Sequence, residues 1–179
     1  FEQESSILID SVESVADFFD SESLRTLEEL SAEYFDDTFA AFFYRGKKAW
    51  TKEDFEVASG FLFDALRQGA VEQVEEEKLE EASGLLEKTV KELIVRWRDA
   101  DQWERLAGLL ERALEFFPDE ADFWGYLARS FLELERYEDS ILPALRFREL
   151  RPGRDADLVL RTGFLRLALV LYRETDLYG

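Results

Sequence analysis

A period of 34 residues constrains this chain more than any other feature of its sequence. Between residues 87 and 153, large, small and aromatic residues return at that interval in the pairs Val90/Trp124, Leu93/Leu127, Ile94/Ala128, Trp97/Phe131, Trp103/Tyr137 and Pro118/Pro152. Each segment closes with a proline, which cannot continue a helix because it lacks an N–H and its ring clashes with the preceding turn. A fixed period of this length is typical of stacked helix pairs, so the sequence predicts an all-α protein.

The second segment resembles the tetratricopeptide repeat, a helix–turn–helix unit. The residues that match that family's pattern are Trp124, Leu127, Ala128, Phe131, Tyr137, Ala144 and Pro152. Glu135 stands where the family usually has a turn glycine, and the first segment matches less closely. The resemblance, clearest over residues 87–153, implies antiparallel helix pairs stacked as a right-handed α-solenoid. The last segment fits either a third repeat from Asp155 or a capping helix, since Arg161 occupies a core position.

Apolar residues at helical spacing also predict helices before the repeats. One helix is expected from Ser5 to Phe19, and a second from Ser21 to Gly46, where the glycine is expected to end it. A third helix is predicted to be capped by Thr51 and to stop at Gly69. The N-terminal part of the chain is therefore expected to be helical throughout.

We divide the chain into two parts on this basis. Residues 1–84 form an acidic helical region, either divergent repeats or a cap, and residues 85–179 hold the tetratricopeptide-like repeats and a C-terminal capping helix. Pro143 falls inside the second helix of the better repeat, where a proline is tolerated only in the first turn. That helix is therefore expected to start late or to bend between Ser140 and Leu142.

The charge of the chain limits its partners. The net charge is −19, and residues 1–80 carry 21 acidic against 7 basic residues. Such a surface disfavours nucleic acid and anionic membranes, because both are polyanions. Membrane insertion is not expected, because no run of about 18 apolar residues occurs. We expect a soluble protein, with the cytoplasm favoured and the periplasm kept open because the chain begins at Phe1 rather than at a start methionine.

The residue types that usually carry chemistry are missing. Cysteine, histidine, methionine and asparagine are all absent, which removes the usual nucleophilic triads and the commonest transition-metal ligands. The acidic run Glu75–Glu81 has helical spacing without the glycine turn of a calcium loop, so an exposed helix face is favoured over a metal site. We expect that the protein is not an enzyme and needs no cofactor or metal. Extremophile origin, selection against labile residues and engineering would each explain the composition.

The resemblance implies a function in protein binding. In that family the first helices of successive repeats line a concave groove that takes a peptide or helix from a partner. The matching candidate partner-binding residues are Lys88, Lys91, Arg98, Asp122, Arg129, Leu132 and Glu133, with Val95 and Gly125 on the same face. Their mixed character predicts a partner segment that is both apolar and charged. An ordinary solvated helix face is the alternative interpretation.

Two further hypotheses on partners remain open. The chain is either a non-enzymatic scaffold or adaptor, or an acidic chaperone or nucleic-acid mimic that binds basic clients through its N-terminal charge. The C-terminal part is rich in arginine, which suits carboxylate recognition, so self-association between copies and pairing within one molecule both fit.

Overall fold

The computed structural model describes residues 37–176, with side chains described as far as Arg173. All regular structure in this range is helical, and no strand occurs there. The helices are α1 (Phe39–Thr51), α2 (Phe55–Glu72), α3 (Glu76–Asp99), α4 (Trp103–Ala113), α5 (Ala121–Glu133), α6 (Tyr137–Leu150) and α7 (Arg154–Asp176). The predicted helix Ser5–Phe19 and the start of the next one lie outside the described residues. Within the described range, each helix is too short or too polar to cross a membrane.

The chain divides into two compact units, residues 1–89 and 90–179, and the division falls within α3. In the first unit, α1 packs on α2. The N-terminus of α1 is held by two carboxyl contacts: the Phe39 N–H donates to Glu72 Oε1 at 3.2 Å and to Oε2 at 3.3 Å. A carboxylate is favoured there because the first N–H groups of a helix lack intrahelical acceptors. Thr38 accepts from the Ala41 N–H at 3.3 Å and completes the cap.

Two glycines expected to end helices lie inside them instead. α1 continues through Gly46 to Thr51, and α2 continues through Gly69 to Glu72. Both glycines are buried where another side chain approaches the helix backbone. A Cβ on Gly46 would lie 2.9 Å from Leu62 Cγ, and one on Gly69 would lie 2.5 Å from Leu79 Cδ2. The predicted helix ends are therefore wrong, because these glycines serve close packing.

The predicted cap of α2 is also wrong. Asp54, rather than Thr51, caps α2, and its carboxylate accepts from the Val57 N–H at 3.4 Å. Thr51 is the last residue of α1, and its hydroxyl donates to the Lys48 carbonyl at 2.8 Å.

A single residue in the left-handed conformation ends four of the described helices. These residues are Glu53, Gln73, Asp101 and Glu135, with φ between 54° and 59°. In each turn the next residue donates its N–H to the carbonyl five positions back, at 2.8 to 3.1 Å. This bond defines the Schellman motif, which satisfies carbonyls left open at a helix end. Glycine is the usual residue at this position, because other L-residues adopt a positive φ at a cost of roughly 1–2 kcal/mol.

The turns of the second unit repeat with the period of the sequence. Asp101 and Glu135 are 34 positions apart, and so are the residues at which α4 and α6 begin, Trp103 and Tyr137. The closing hydrogen bonds match in length, 2.8 Å from Gln102 to Trp97 and 2.8 Å from Arg136 to Phe131. The 34-residue period therefore corresponds to a repeated backbone conformation.

The core of the second unit forms where α5, α6 and α7 meet. Its buried members are Ala128, Ala144, Phe147, Ala156, Val159 and Leu160, with Trp124 and Leu132 packed against them. α4 packs on α5, and each later helix packs on its predecessor. α6 begins at Tyr137 and runs unbroken through the buried Pro143, so the expected late start is wrong.

Substituting the turn residue tests the cost of its left-handed backbone. Glu135→Gly is expected to raise the free energy of unfolding by about 1 kcal/mol, because glycine adopts a positive φ without steric cost. Glu133→Gly is the matched control, since it removes the same charge from a helical residue and should be neutral or destabilising. Urea unfolding of both variants measures the difference, and destabilisation by Glu135→Gly would contradict the account of the turn.

Adding a methyl group tests the role of the buried glycine in α1. Gly46→Ala is expected to lower the free energy of unfolding by about 1–2 kcal/mol, because the new Cβ would overlap the fully buried Leu62. Gly60→Ala is the control, because a Cβ there meets nothing within 4 Å and alanine favours the helix. Thermal unfolding followed by circular dichroism should separate the two; equal effects would show that Gly46 is not a packing residue.

Candidate partner-binding surface

The outward face of α5 carries three of the predicted residues. Asp122, Arg129 and Glu133 share this face with Tyr126, since the four are spaced by four, three and four residues. Arg129 and Glu133 are exposed, whereas Asp122 and Tyr126 are half-buried. This helix therefore offers a polar strip with one aromatic ring in its middle.

The second part of α3 carries another set with helical spacing. Lys91, Val95 and Arg98 follow each other at intervals of four and three residues, so they share one face. Lys91 is exposed, Val95 keeps 47% of its surface exposed, and Arg98 is half-buried. Lys88 is exposed on the part of α3 that belongs to the first unit.

Arg98 connects α3 to α5. Its guanidinium donates to Asp99 Oδ1 through Nε at 2.9 Å and through Nη2 at 2.8 Å. The hydrogen bond to Asp99 and the charge of that carboxylate raise the pKa of Arg98 above its ordinary value, burial opposes this, and the nearby Tyr126 adds slightly to the shift. The structure thus brings together a residue predicted on α3 and a ring on α5.

Arg129 reaches the same ring from within α5. Its guanidinium carbon lies 5.6 Å from the centre of the Tyr126 ring, within the range of a cation–π contact. Among residues 37–176, no carboxylate forms an ion pair with Arg129. Tyr126 therefore lies beside two guanidinium groups: Arg129 is placed over its ring, and Arg98 is near enough for Tyr126 to raise its pKa.

Asp122 is engaged by an arginine that follows α6. Arg151 Nη2 donates to Asp122 Oδ1, and the Arg151 guanidinium lies 5.1 Å from the centre of the Phe147 ring. The hydrogen bond to Asp122 raises the pKa of Arg151, and burial opposes that shift. Because this pair balances its own charge, Asp122 adds little negative potential beside Arg129.

Two residues assigned to the groove by sequence take part in helix packing. Leu132 is partly buried against the core shared by α5, α6 and α7. Gly125 is buried beneath α6, where an added Cβ would lie 3.2 Å from the Phe147 ring. Tyr126 is not among the residues predicted from the sequence. The spacing of Tyr126 from Asp122 and Arg129 is the signal that places it on the outward face.

The described range has open depressions but no cluster of side chains that could hold a metal ion. Across residues 37–176, no three acidic side chains are placed to hold a metal ion. Two open depressions, of about 490 and 260 Å³, lie beside the turn between α6 and α7. The larger is lined by Gly153, Arg154, Asp157, Leu158 and Arg161.

No protein-family model matches the chain, and no curated protein matches it either. The chain is similar to a solved structure of a MamA mutant, with 13% identity, 73% of this chain and 88% of the other covered, and a TM-score of 0.41. It is also similar to a MamA RS-1 ArsTM double mutant, with 12% identity, coverage of 96% and 95%, and a TM-score of 0.44. Both TM-scores are below 0.5, so the fold described above rests on this chain's own helices.

The pairing of Arg151 with Asp122 can be measured by a double-mutant cycle. Asp122→Ala, Arg151→Ala and the double variant should give a coupling energy of about 0.3–1 kcal/mol, because both side chains are half exposed and water screens their attraction. The coupling should shrink in 0.5 M salt. A coupling energy near zero at low salt would mean that Asp122 is not held by Arg151 in solution.

Proposed function

We propose that the protein is a non-enzymatic interaction scaffold built from tetratricopeptide-like helix pairs stacked as a right-handed solenoid. Its partner is another protein, which lays a peptide or a helix across the surface formed by the second part of α3 and by α5. The turns that recur after 34 residues support the repeat architecture. The single observation that carries the binding role is the cluster of Arg98, Tyr126 and Arg129.

The cluster combines two kinds of recognition. A guanidinium binds a carboxylate through two parallel N–H groups, and Arg129 has no such partner among the described residues. The Tyr126 ring offers apolar contact, and Val95 presents a second apolar side chain on α3. Tyrosine and arginine are the residue types that often dominate the energy of protein interfaces. The fitting partner segment carries a carboxylate beside an apolar or aromatic side chain.

The charge of the whole chain shapes how such a partner binds. With a net charge of −19, the protein repels acidic partners at long range, so electrostatic steering does not speed their approach. Affinity for an acidic segment then depends on short-range contact with the arginines and on burial of apolar surface. Binding through the cluster should consequently survive moderate salt. The acidic-chaperone hypothesis expects the opposite, since attraction of basic clients weakens as salt screens the charge.

Selection from a library of displayed random peptides tests the proposal directly. We expect enrichment of peptides with Asp or Glu next to an apolar residue, measured afterwards by fluorescence anisotropy. Arg129→Glu should weaken their binding by about tenfold or more, which corresponds to about 1.4 kcal/mol. Arg148→Glu is the control, because it makes the same charge change on the exposed surface of α6. It should change affinity by less than about twofold.

A different outcome would favour the acidic chaperone. In that case the enriched peptides are basic, their binding falls steeply between 0.05 and 0.5 M salt, and Arg129→Glu leaves or strengthens it. That result would overturn the assignment of binding to the Arg98–Tyr126–Arg129 cluster.

A further inference from the structure

Helix α7 displays a stripe of large apolar side chains to solvent. Leu158, Leu165, Leu169 and Tyr172 have 62%, 63%, 54% and 65% of their surface exposed. Leu158, Leu165 and Tyr172 recur every seven residues, so they follow one line along the helix. In the first two turns of α7 the opposite side is buried in the core of the second unit through Ala156, Val159 and Leu160, whereas further along the helix Phe164, Val170 and Leu171 are exposed as well. A continuous exposed stripe of this kind marks an interaction surface.

The repeat register indicates what kind of element covers such a stripe. The residues that stand 34 positions before Leu158 and Leu165 are Trp124 and Phe131 on α5. Trp124 packs against the core to which α6 contributes Phe147, and Phe131 is only 4% exposed. α6 follows α5 after a three-residue turn and therefore runs antiparallel to it. The equivalent cover for α7 is likewise an antiparallel amphipathic helix.

The charge of α7 permits contact between two copies of the chain. The net charge of α7 is zero in a chain of net charge −19. The helix carries four arginines, Arg154, Arg161, Arg166 and Arg173, and four acidic residues, Asp155, Asp157, Glu174 and Asp176. Contact between two acidic copies is opposed by their mutual repulsion. A neutral helix is the element by which two copies of this chain approach with the least repulsion.

We propose that α7 forms a two-fold interface with α7 of a second copy, the two helices packing antiparallel through their apolar stripes. Asp155 and Arg173 each lie nine positions from Phe164, so they are 18 positions apart, which is five full helical turns. They therefore lie on the same side of the stripe. They are also equally far from a two-fold axis that crosses the helix at the level of Phe164. In this arrangement Asp155 of each copy faces Arg173 of the other, because a two-fold axis places equivalent flanks side by side.

The same two-fold axis also places a protruding side chain of one copy next to a depression on the other. Tyr172 lies eight residues beyond Phe164, so the ring from one copy reaches the level of Ala156 and Leu158 on the other. The open depression of about 490 Å³ lined by Asp157, Leu158 and Arg161 begins there. If each of the four exposed side chains of the stripe loses roughly 100 Å², the two copies together bury on the order of 800 Å², which is the size of a weak interface. A weak dimer that forms in the upper part of the micromolar range is the expected result.

Sedimentation equilibrium of the full chain at roughly 1 to 200 µM tests the proposal. We expect a monomer–dimer equilibrium that Leu165→Glu abolishes, because the substitution places two carboxylates at the centre of the interface. Val71→Glu is the matched control: Val71 is 75% exposed on α2, and its substitution should leave the dimer intact. Leu165 is equally accessible, so Leu165→Glu should keep the helical circular dichroism of the parent protein.

Charge reversal tests the register of the two helices. Asp155→Arg and Arg173→Asp should each weaken the dimer by about fivefold or more, and the double variant should restore it. Failure of the double variant to recover would overturn the two-fold axis at Phe164. A chain that stays monomeric throughout the concentration range, or a dimer that Leu165→Glu leaves unchanged, would overturn the interface itself. Leu165→Glu should retain peptide binding at Arg129, so this test is independent of the proposed function.

Discussion

The described helices depend on one backbone device, the left-handed residue that closes a helix and turns the chain into the next. At Glu53, Asp101 and Glu135 two N–H groups bond back to the preceding turn, so the last carbonyls are satisfied without side chains. The turn is then only three residues long, and α2 packs on α1 and α6 on α5. Packing of apolar faces follows from this short turn. None of the three residues is a glycine, so the hydrogen bonds and helix packing offset the strain of the left-handed conformation.

The sequence predicts the helical class and the period well, because both depend on apolar spacing along the chain. It predicts helix ends poorly where glycine has a tertiary role. Gly46 and Gly69 fit the local pattern of helix stops, yet each allows a side chain from another helix to approach the backbone closely. Residues that are not adjacent in sequence produce this requirement, so no local pattern reveals it. Conversely, Glu135 departs from the expected glycine and still forms the turn.

The sequence likewise predicts one part of the candidate surface and not another. Helical spacing alone assigns Asp122 and Arg129 to one face of α5, and the repeat register relates these two residues to Lys88 and Val95 on α3. The pairing of Asp122 with Arg151 spans 29 positions and depends on how the chain leaves α6, so the sequence does not reveal it. In the second unit, guanidinium groups repeatedly lie on aromatic rings: Arg105 on Trp97, Arg129 on Tyr126, Arg136 on Phe131 and Arg151 on Phe147.

The recurrence of one turn conformation at Asp101 and Glu135 has a consequence for how such a chain changes length. A segment that starts after the first turn and stops after the second begins and finishes in the same backbone geometry. If this 34-residue segment is duplicated or deleted, the same turn hydrogen bonds form where the ends are joined. The helices on either side then keep their register. The molecule can thus be lengthened or shortened by whole segments of this length, whereas insertion of any other number of residues would break the register.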